Sequence, residues 1–254
     1  MKLKPVPKIG GIILFGSFII FSLLNDFFVQ HSNYFVAGLV LVVFGFGDDI
    51  FEFKPFQKLI GQFIIVSSFV FFEYNINNIS SYLLSYFLMM NSSNLIDGSD
   101  GVLGTLSIIS LTYLYFYIDQ NSFILFFIIS IVVILFFNFP NAIIYLGESG
   151  STVIGFTMNY IILYDINMSS SFVINNFLIL SKCISIYPIP ILDVFRVLCF
   201  RLYNKRNIFT KDLNHVHHLV LNMVVSKTRA LIILGLSQAV LIFVFEVFKF
   251  YFKL

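Results

Sequence analysis

Apolar residues fall in long unbroken runs along this chain, and polar residues gather in short clusters between them. The runs do not alternate residue by residue, so a strand barrel with one face on lipid is a poor match. They have the continuity of apolar helices, which need roughly 20 residues to cross a bilayer. The predicted spans are residues 9–24, 34–46, 59–72, 79–90, 102–118, 123–137, 153–164, 172–192 and 230–252. The expected fold is therefore all-α: a polytopic integral membrane protein of about nine transmembrane helices. Residues 1–254 are read as one multi-span domain, because no repeat, low-complexity tail or soluble segment interrupts the pattern. The longest polar stretch runs over residues 193–229.

Composition excludes the soluble alternative. Hydrophobic residues make up 59% of the chain and charged residues 11%, with a mean hydropathy of +0.94. A water-soluble protein of 254 residues has no interior large enough to hide that much apolar surface. Cys183 and Cys199 lack metal-site spacing and are read as free thiols. Lys2, Lys4 and Lys8 precede the first apolar run, as in a secretory leader. That run reaches Asn25-Asp26 without a small-residue cleavage site, and further spans follow, so an uncleaved first helix is expected.

The net charge of +2 says less than its distribution. Alternate loops sort into two sets. One set holds Lys2, Lys4 and Lys8, then Lys54 and Lys58, then Arg196, Arg201, Lys205, Arg206, Lys211, Lys227 and Arg229. The other has short loops around Asp26, Glu73, Asp119 and Asp165, with only Lys249 and Lys253 near the C-terminus. Basic residues are retained on the cytoplasmic side, so the first set is expected there.

The same sorting places four polar clusters on the cytoplasmic face. The first is Asp48-Asp49, at the end of the second span. Adjacent carboxylates repel, and holding both ionised favours a nearby cation. The second runs over residues 91–101 and contains Asn91, Asn94, Asp97 and Asp100. The two asparagines share a helix face, while Gly98 and Gly101 break the helix and let backbone approach a ligand. The third carries Glu148 among Gly147, Ser149, Gly150 and Ser151, following Asn138 and Pro140. Small residues at a helix start can offer N–H groups to phosphate, and Ser149 or Ser151 can equally be a plain N-cap. The fourth is His215-Val216-His217-His218, within the basic polar stretch. Histidines beside arginine and lysine can bind phosphate or move protons. Oxygen ligands for a hard cation and basic groups for anions together suit phosphoryl transfer, where positioning and charge neutralisation do most of the work.

The order and wording of these motifs resemble the polyprenyl-phosphate N-acetylhexosamine-1-phosphate transferases, a glycosyltransferase family 4 type. The resemblance begins at Pro7-Lys8-Ile9-Gly10-Gly11 and continues through the paired aspartates, the Asn-x-x-Asn-x-x-Asp-Gly-x-Asp-Gly run and the Gly-Glu-Ser-Gly-Ser turn. It ends with Pro190-Ile191-Leu192-Asp193 and His215-Val216-His217-His218. It implies transfer of a sugar 1-phosphate from a UDP-N-acetylhexosamine to a polyprenyl phosphate such as undecaprenyl phosphate, releasing UMP. The product is a lipid-linked diphospho-sugar that starts a cell-envelope glycan. By this resemblance the catalytic residues are Asp48, which activates the lipid phosphate, Asp49 and Asp100. Lys8, Asn91, Asn94, Asp97, His215, His217 and His218 bind substrate. Glu148 and Asp49 hold the metal, expected to be Mg²⁺ with Mn²⁺ as the alternative. The His-x-His-His form looks more like the branch using simple N-acetylhexosamines than the muramyl-pentapeptide branch.

The chain departs from the family pattern in four places. Glu148 stands where Asp is usual, and Leu219 where an Arg often follows the histidines. The chain starts at the Pro-x-x-Gly-Gly loop, where the family usually has a preceding span, and one span rather than two follows the histidines. The expected setting is the inner (plasma) membrane of a bacterial-type cell, with no nucleic-acid partner and a homodimer left open. Three alternatives stand beside the sugar-phosphate transferase: a muramyl-pentapeptide transferase, a non-catalytic or truncated relative, and a transporter. The transporter is disfavoured because the span middles hold almost no ionisable groups beyond Lys182 and Glu246.

Overall fold

The computed structural model describes residues 6–74, 78–118, 121–169, 176–207, 214–224 and 226–252. Lys2, Lys4, Asp119, Lys211, Lys253 and the start of the expected 172–192 span lie outside the described residues. The fold is all-α. Along the chain run α1 (Gly10–Leu24), α2 (Phe27–Gln30), α3 (Ser32–Phe51), α4 (Pro55–Glu73), α5 (Ile79–Ile96) and α6 (Val102–Tyr117). They are followed by α7 (Ser122–Asn138), α8 (Gly147–Ser169), α9 (Asn176–Ile186), α10 (Pro188–Tyr203), α11 (Val216–Val224) and α12 (Lys227–Phe252). By length and composition, α3, α4 and residues Lys227–Lys249 of α12 can cross a membrane, and the bent pair α9–α10 is a fourth candidate. The helices α1, α6 and α7 are apolar but shorter. Cys183 is buried, Cys199 is exposed, and both are free thiols.

The centre of the bundle is α8, enclosed chiefly by α3 and α5 with α1 alongside. It is buried on all sides over most of its length, although it carries Thr157 and Asn159 among its apolar residues. A buried polar group costs free energy unless it is hydrogen-bonded, and each of these has a partner on a neighbouring helix. Tyr34 Oη lies 2.6 Å from Thr157 Oγ1. Asn159 Nδ2 donates to Ser85 Oγ at 3.0 Å, and its Oδ1 accepts from Cys183 Sγ at 3.5 Å. These bonds cross from α8 to α3, α5 and α9 and fix the axial position of α8, which apolar packing alone fixes less strictly. Around them an aromatic layer packs Tyr34 against Phe156 and Tyr160, with ring centroids 5.5 and 4.5 Å apart.

Two sequence expectations change. Residues 172–192 do not form one straight helix. The path turns by 108° between Phe177–Ile186 and Pro188–Tyr203. Pro188 and Pro190 lack the N–H that would continue a helix, and proline is tolerated in the first turn of a new one. The break frees backbone groups inside the bundle, and side chains from two other helices satisfy them. Ser110 Oγ donates to Ile186 O at 2.6 Å, Ile189 N donates to Gln238 Oε1 at 3.0 Å, and Gln238 Nε2 donates to Ser110 Oγ at 2.8 Å. Non-helical backbone at depth is tolerated where protein re-satisfies it in this way. The second change lies in residues 193–229, expected as a polar stretch. They hold the rest of α10, all of α11 and the start of α12, so the histidines begin a short helix rather than sit in a loop.

Replacing Gln238 with leucine removes its bond from Ile189 N and its bond to Ser110 Oγ. The expected cost is about 1–3 kcal/mol for the stranded buried N–H, read as a lower unfolding midpoint in detergent.

Candidate active site

The four clusters meet at one end of the bundle, and backbone pairing brings the first segment there. Tyr145 N donates to Pro7 O at 3.0 Å, Gly10 N to Tyr145 O at 2.9 Å, and Gly11 N to Leu146 O at 3.0 Å. This short ladder lays Lys8 beside Asp49, with Nζ 3.4 Å from Oδ1. Asp49 lies near the start of α8, where unpaired N–H groups favour negative charge. Its Oδ2 is 3.5 Å from Ser149 N. Gly147 permits the approach. It has φ +71, and a Cβ there would stand 2.4 Å from Asp49 Oδ2. Ser149 and Ser151 lie inside the first turn of α8, which starts at Gly147, so neither is its N-cap.

Asp48 is almost buried and faces the α3–α4 turn. Its Oδ1 accepts from Phe53 N at 2.7 Å, just past Glu52, whose φ of 50 ends α3. Its Oδ2 is 3.5 Å from Lys58 Nζ. The same ammonium pairs with Glu148, so Lys58 stands between two carboxylates of different helices.

The Asn-x-x-Asn run closes α5 and opens into the glycine turn. Asn94 Oδ1 accepts from Ser151 Oγ at 3.2 Å. Asn91 Nδ2 instead donates to Phe87 O at 2.8 Å on its own helix. Gly101 N donates to Asn138 Oδ1 at 2.7 Å, and Asn138 Nδ2 donates to Ile144 O at 3.0 Å. One buried amide thus joins the aspartate loop to the segment before α8. Lys227, from the start of α12, reaches Asp100 Oδ2 at 2.6 Å.

Between these elements lies a cavity of about 350 Å³ whose wall includes Lys8, Asp49, Asn94, Asp97, Asp100 and Glu148. Asp48 and Asn91 are not among the residues that line it. Burial, then the charges of Glu148, Asp49 and Asp100, hold the Asp97 carboxyl well above the usual carboxylate range. The histidines reach the cavity through Gly98, where a Cβ would lie 2.2 Å from His217 Nε2. His215 Nδ1 is 2.8 Å from Asp193 Oδ2. His217 is buried, and neither ring nitrogen has a hydrogen-bond partner among the described residues. Its ring centroid is 4.1 Å from that of His218.

Among the described residues no three His, Cys, Asp or Glu side chains form a ready-made cage. Mg²⁺ does not need one, since it keeps water and substrate phosphate in its shell and takes one or two carboxylates from protein. Asp49 Oδ1 is buried and accepts no hydrogen bond, and Glu148 lines the same cavity. Hard oxygen donors of this kind fit such an ion.

The sequence gives Lys58 and Lys227 no part in the site, and it names Asn138 and Asp193 within motifs without a role for either. Both lysines were visible only as basic loop residues, and nothing in the sequence said which carboxylate each would meet.

Burial, and then the charges of His218 and His215, push the His217 imidazole down to about 3. An unfolded histidine titrates near 6.5, so the folded state binds fewer protons below that pH. The stability this ring contributes is complete above about pH 6.5 and falls as pH drops toward about 3. The variant His217→Gln, neutral throughout, should therefore lose less stability than wild type between pH 6.5 and 4, measured as unfolding midpoints in detergent.

Comparisons with known proteins give the family. The glycosyl transferase family 4 profile matches residues 32–165. The undecaprenyl-phosphate alpha-N-acetylglucosaminyl 1-phosphate transferase of Salmonella typhi is 26% identical over 264 aligned residues, covering 93% of this chain and 71% of the relative. The proteins of that name from Escherichia coli (strain K12) and Yersinia pestis are each 25% identical over 264 aligned residues with the same coverage. The matched stretch holds both paired aspartates, the aspartate loop and Glu148, and the chain belongs to glycosyl transferase family 4.

Proposed function

We propose that this membrane transferase moves an N-acetylhexosamine 1-phosphate from a UDP-sugar onto a polyprenyl phosphate, releasing UMP and starting a cell-envelope glycan. The observation that carries the reading is the convergence of Lys8, Asp49, Asp97, Asp100 and Glu148 on one cavity at the end of an apolar bundle. The names of the relatives, undecaprenyl-phosphate sugar 1-phosphate transferases, supply the acceptor class. A cavity at a membrane surface suits a reaction between one soluble and one lipid substrate.

In this reading an oxygen of the lipid phosphate attacks the sugar-bearing phosphorus of the donor. A new P–O bond forms, the bond to the bridging oxygen breaks, and UMP leaves with that oxygen. Asp48 takes the proton of a singly protonated lipid phosphate, and Lys58 holds the Asp48 carboxylate for that task. Lys8 meets the negative charge of the donor phosphates. Asn94, Asp97 and Asp100 line the nucleotide side. Asp49 and Glu148 are the residues that would hold Mg²⁺, which when bound supplies neutralisation of the diphosphate charge. Nine membrane crossings and a cytoplasmic site belong to the same proposal. Lys8, Lys58 and Lys227 pair with carboxylates of this site, and the tendency of basic residues to stay inside supports that orientation.

Purified protein given polyprenyl phosphate, Mg²⁺ and a panel of UDP-N-acetylhexosamines should release UMP only when all three components are present. Silence with every donor, while the Escherichia coli relative turns over in parallel, would refute the reading. The variant Asp48→Asn should lower turnover about 10²–10⁴-fold, the usual span for a positioned proton acceptor. Unchanged rates would remove Asp48 from the chemistry. A large gain of activity in Glu148→Asp would mean that the native carboxylate is misplaced for its metal.

A further inference from the structure

The proposed chemistry leaves Asp193 unused, yet it is among the most heavily engaged side chains at the site end. It is 4% exposed. Its Oδ2 faces His215 Nδ1 at 2.8 Å. Its Oδ1 accepts from the backbone of Val216 at 3.1 Å and from Arg196 Nε and Nη2 at 3.0 and 2.7 Å. Arg196 also donates to Asn214 O. Two side chains of α10, one turn apart, thereby grip residues 214–216 from both sides. Val216 is the first residue of α11, so Asp193 caps that helix from outside, satisfying an N–H that has no partner within it.

The grip has a direction. His217 follows immediately, with both ring nitrogens unpartnered and its ring against Gly98 of the cavity wall. A nine-residue helix of this kind is too short to hold its own position in water. We propose that Asp193 is a positioning residue that uses His215 and the Val216 N–H to seat His217 against the Gly98 turn. His215 then acts as a strut, its Nδ1–H committed to Asp193, and His217 is the imidazole that meets the anionic substrate. Its catalytic consequence rests on the transferase reading above; the seating of α11 does not.

Two measurements test this on the full chain in detergent. In hydrogen exchange, Asp193→Ala should open the amides of α11 while α3, α5 and α8 stay protected. Unchanged α11 protection overturns the proposal whether or not the protein turns over. If Asp193→Ala loosens the whole bundle, Asp193→Asn replaces it, since its amide oxygen still accepts from Val216. There α11 should open partly with the bundle intact, and full α11 protection overturns the proposal.

In the UMP-release assay, Asp193→Ala and His217→Ala should each lower kcat/KM about 100-fold, the cost of an ångström-scale misplacement. The double variant should be no worse than either alone, because both act through one imidazole. Multiplying losses would overturn the coupling, as a merely structural role predicts. His215→Asn, whose amide still donates to Asp193, should retain at least about tenfold more activity than His215→Ala; equal losses would return His215 to direct contact with substrate. A wild type that releases no UMP with any donor defeats the transferase reading alone, and the exchange measurement still decides the seat of α11.

Discussion

Carboxylates gathered at the end of an apolar bundle repel each other with little water to screen them, and cations from distant parts of the chain hold them in place. Lys8, from the segment before α1, holds Asp49. Lys58, on α4, holds Asp48 and Glu148. Lys227, at the start of α12, holds Asp100. Each lysine ties a different segment to the same end of the molecule, so charge compensation joins packing in shaping the cavity. Asp97 has no such lysine among the described residues, and burial first, then the charges of Glu148, Asp49 and Asp100, hold its carboxyl above the usual carboxylate range. Asp48, Asp49, Asp100 and Glu148 share three lysines, and an incoming cation would relieve the charge left over.

The sequence made the site legible where chemistry and backbone geometry share the same residues. Gly147 admits Asp49, and Gly98 admits His217. Carboxylates beside glycines therefore carry the signal twice. The parts that stayed hidden depend on which surfaces meet. Lys58 reads only as a topology residue until its ammonium is seen between Asp48 and Glu148. Asn138 reads as one member of a polar cluster until its amide is seen tying Gly101 to Ile144. The helix α8 reads as an ordinary span, yet it is a polar-studded axis whose Thr157 and Asn159 are matched one by one.

The opposite end of the bundle shows the same rule applied to a single pair. Lys182 stood out in the sequence as a charge within a span. In the fold it pairs with Asp165 of α8, and its ammonium lies 5.1 Å from the centre of the Tyr117 ring. A transport site keeps its ionisable groups open to a pathway. Here the cation is closed off by a carboxylate and an aromatic face, and both charged side chains are almost buried. That arrangement stabilises the packing of α8 on α9 and weakens the transporter reading further.

The broken helix connects these observations. Had residues 172–192 continued straight, α10 would have carried Asp193 along the axis of α9. The 108° turn at Tyr187 sends α10 off to the side instead, where Asp193 and Arg196 meet residues 214–216. Gln238 and Ser110 stabilise the turn by satisfying the backbone it frees. Buried side chains on α6 and α12 therefore set the direction of α10. That direction sets the seat of α11, and α11 sets where His217 stands against the aspartate loop. A change at Gln238, outside every motif, has this mechanical route to the cavity.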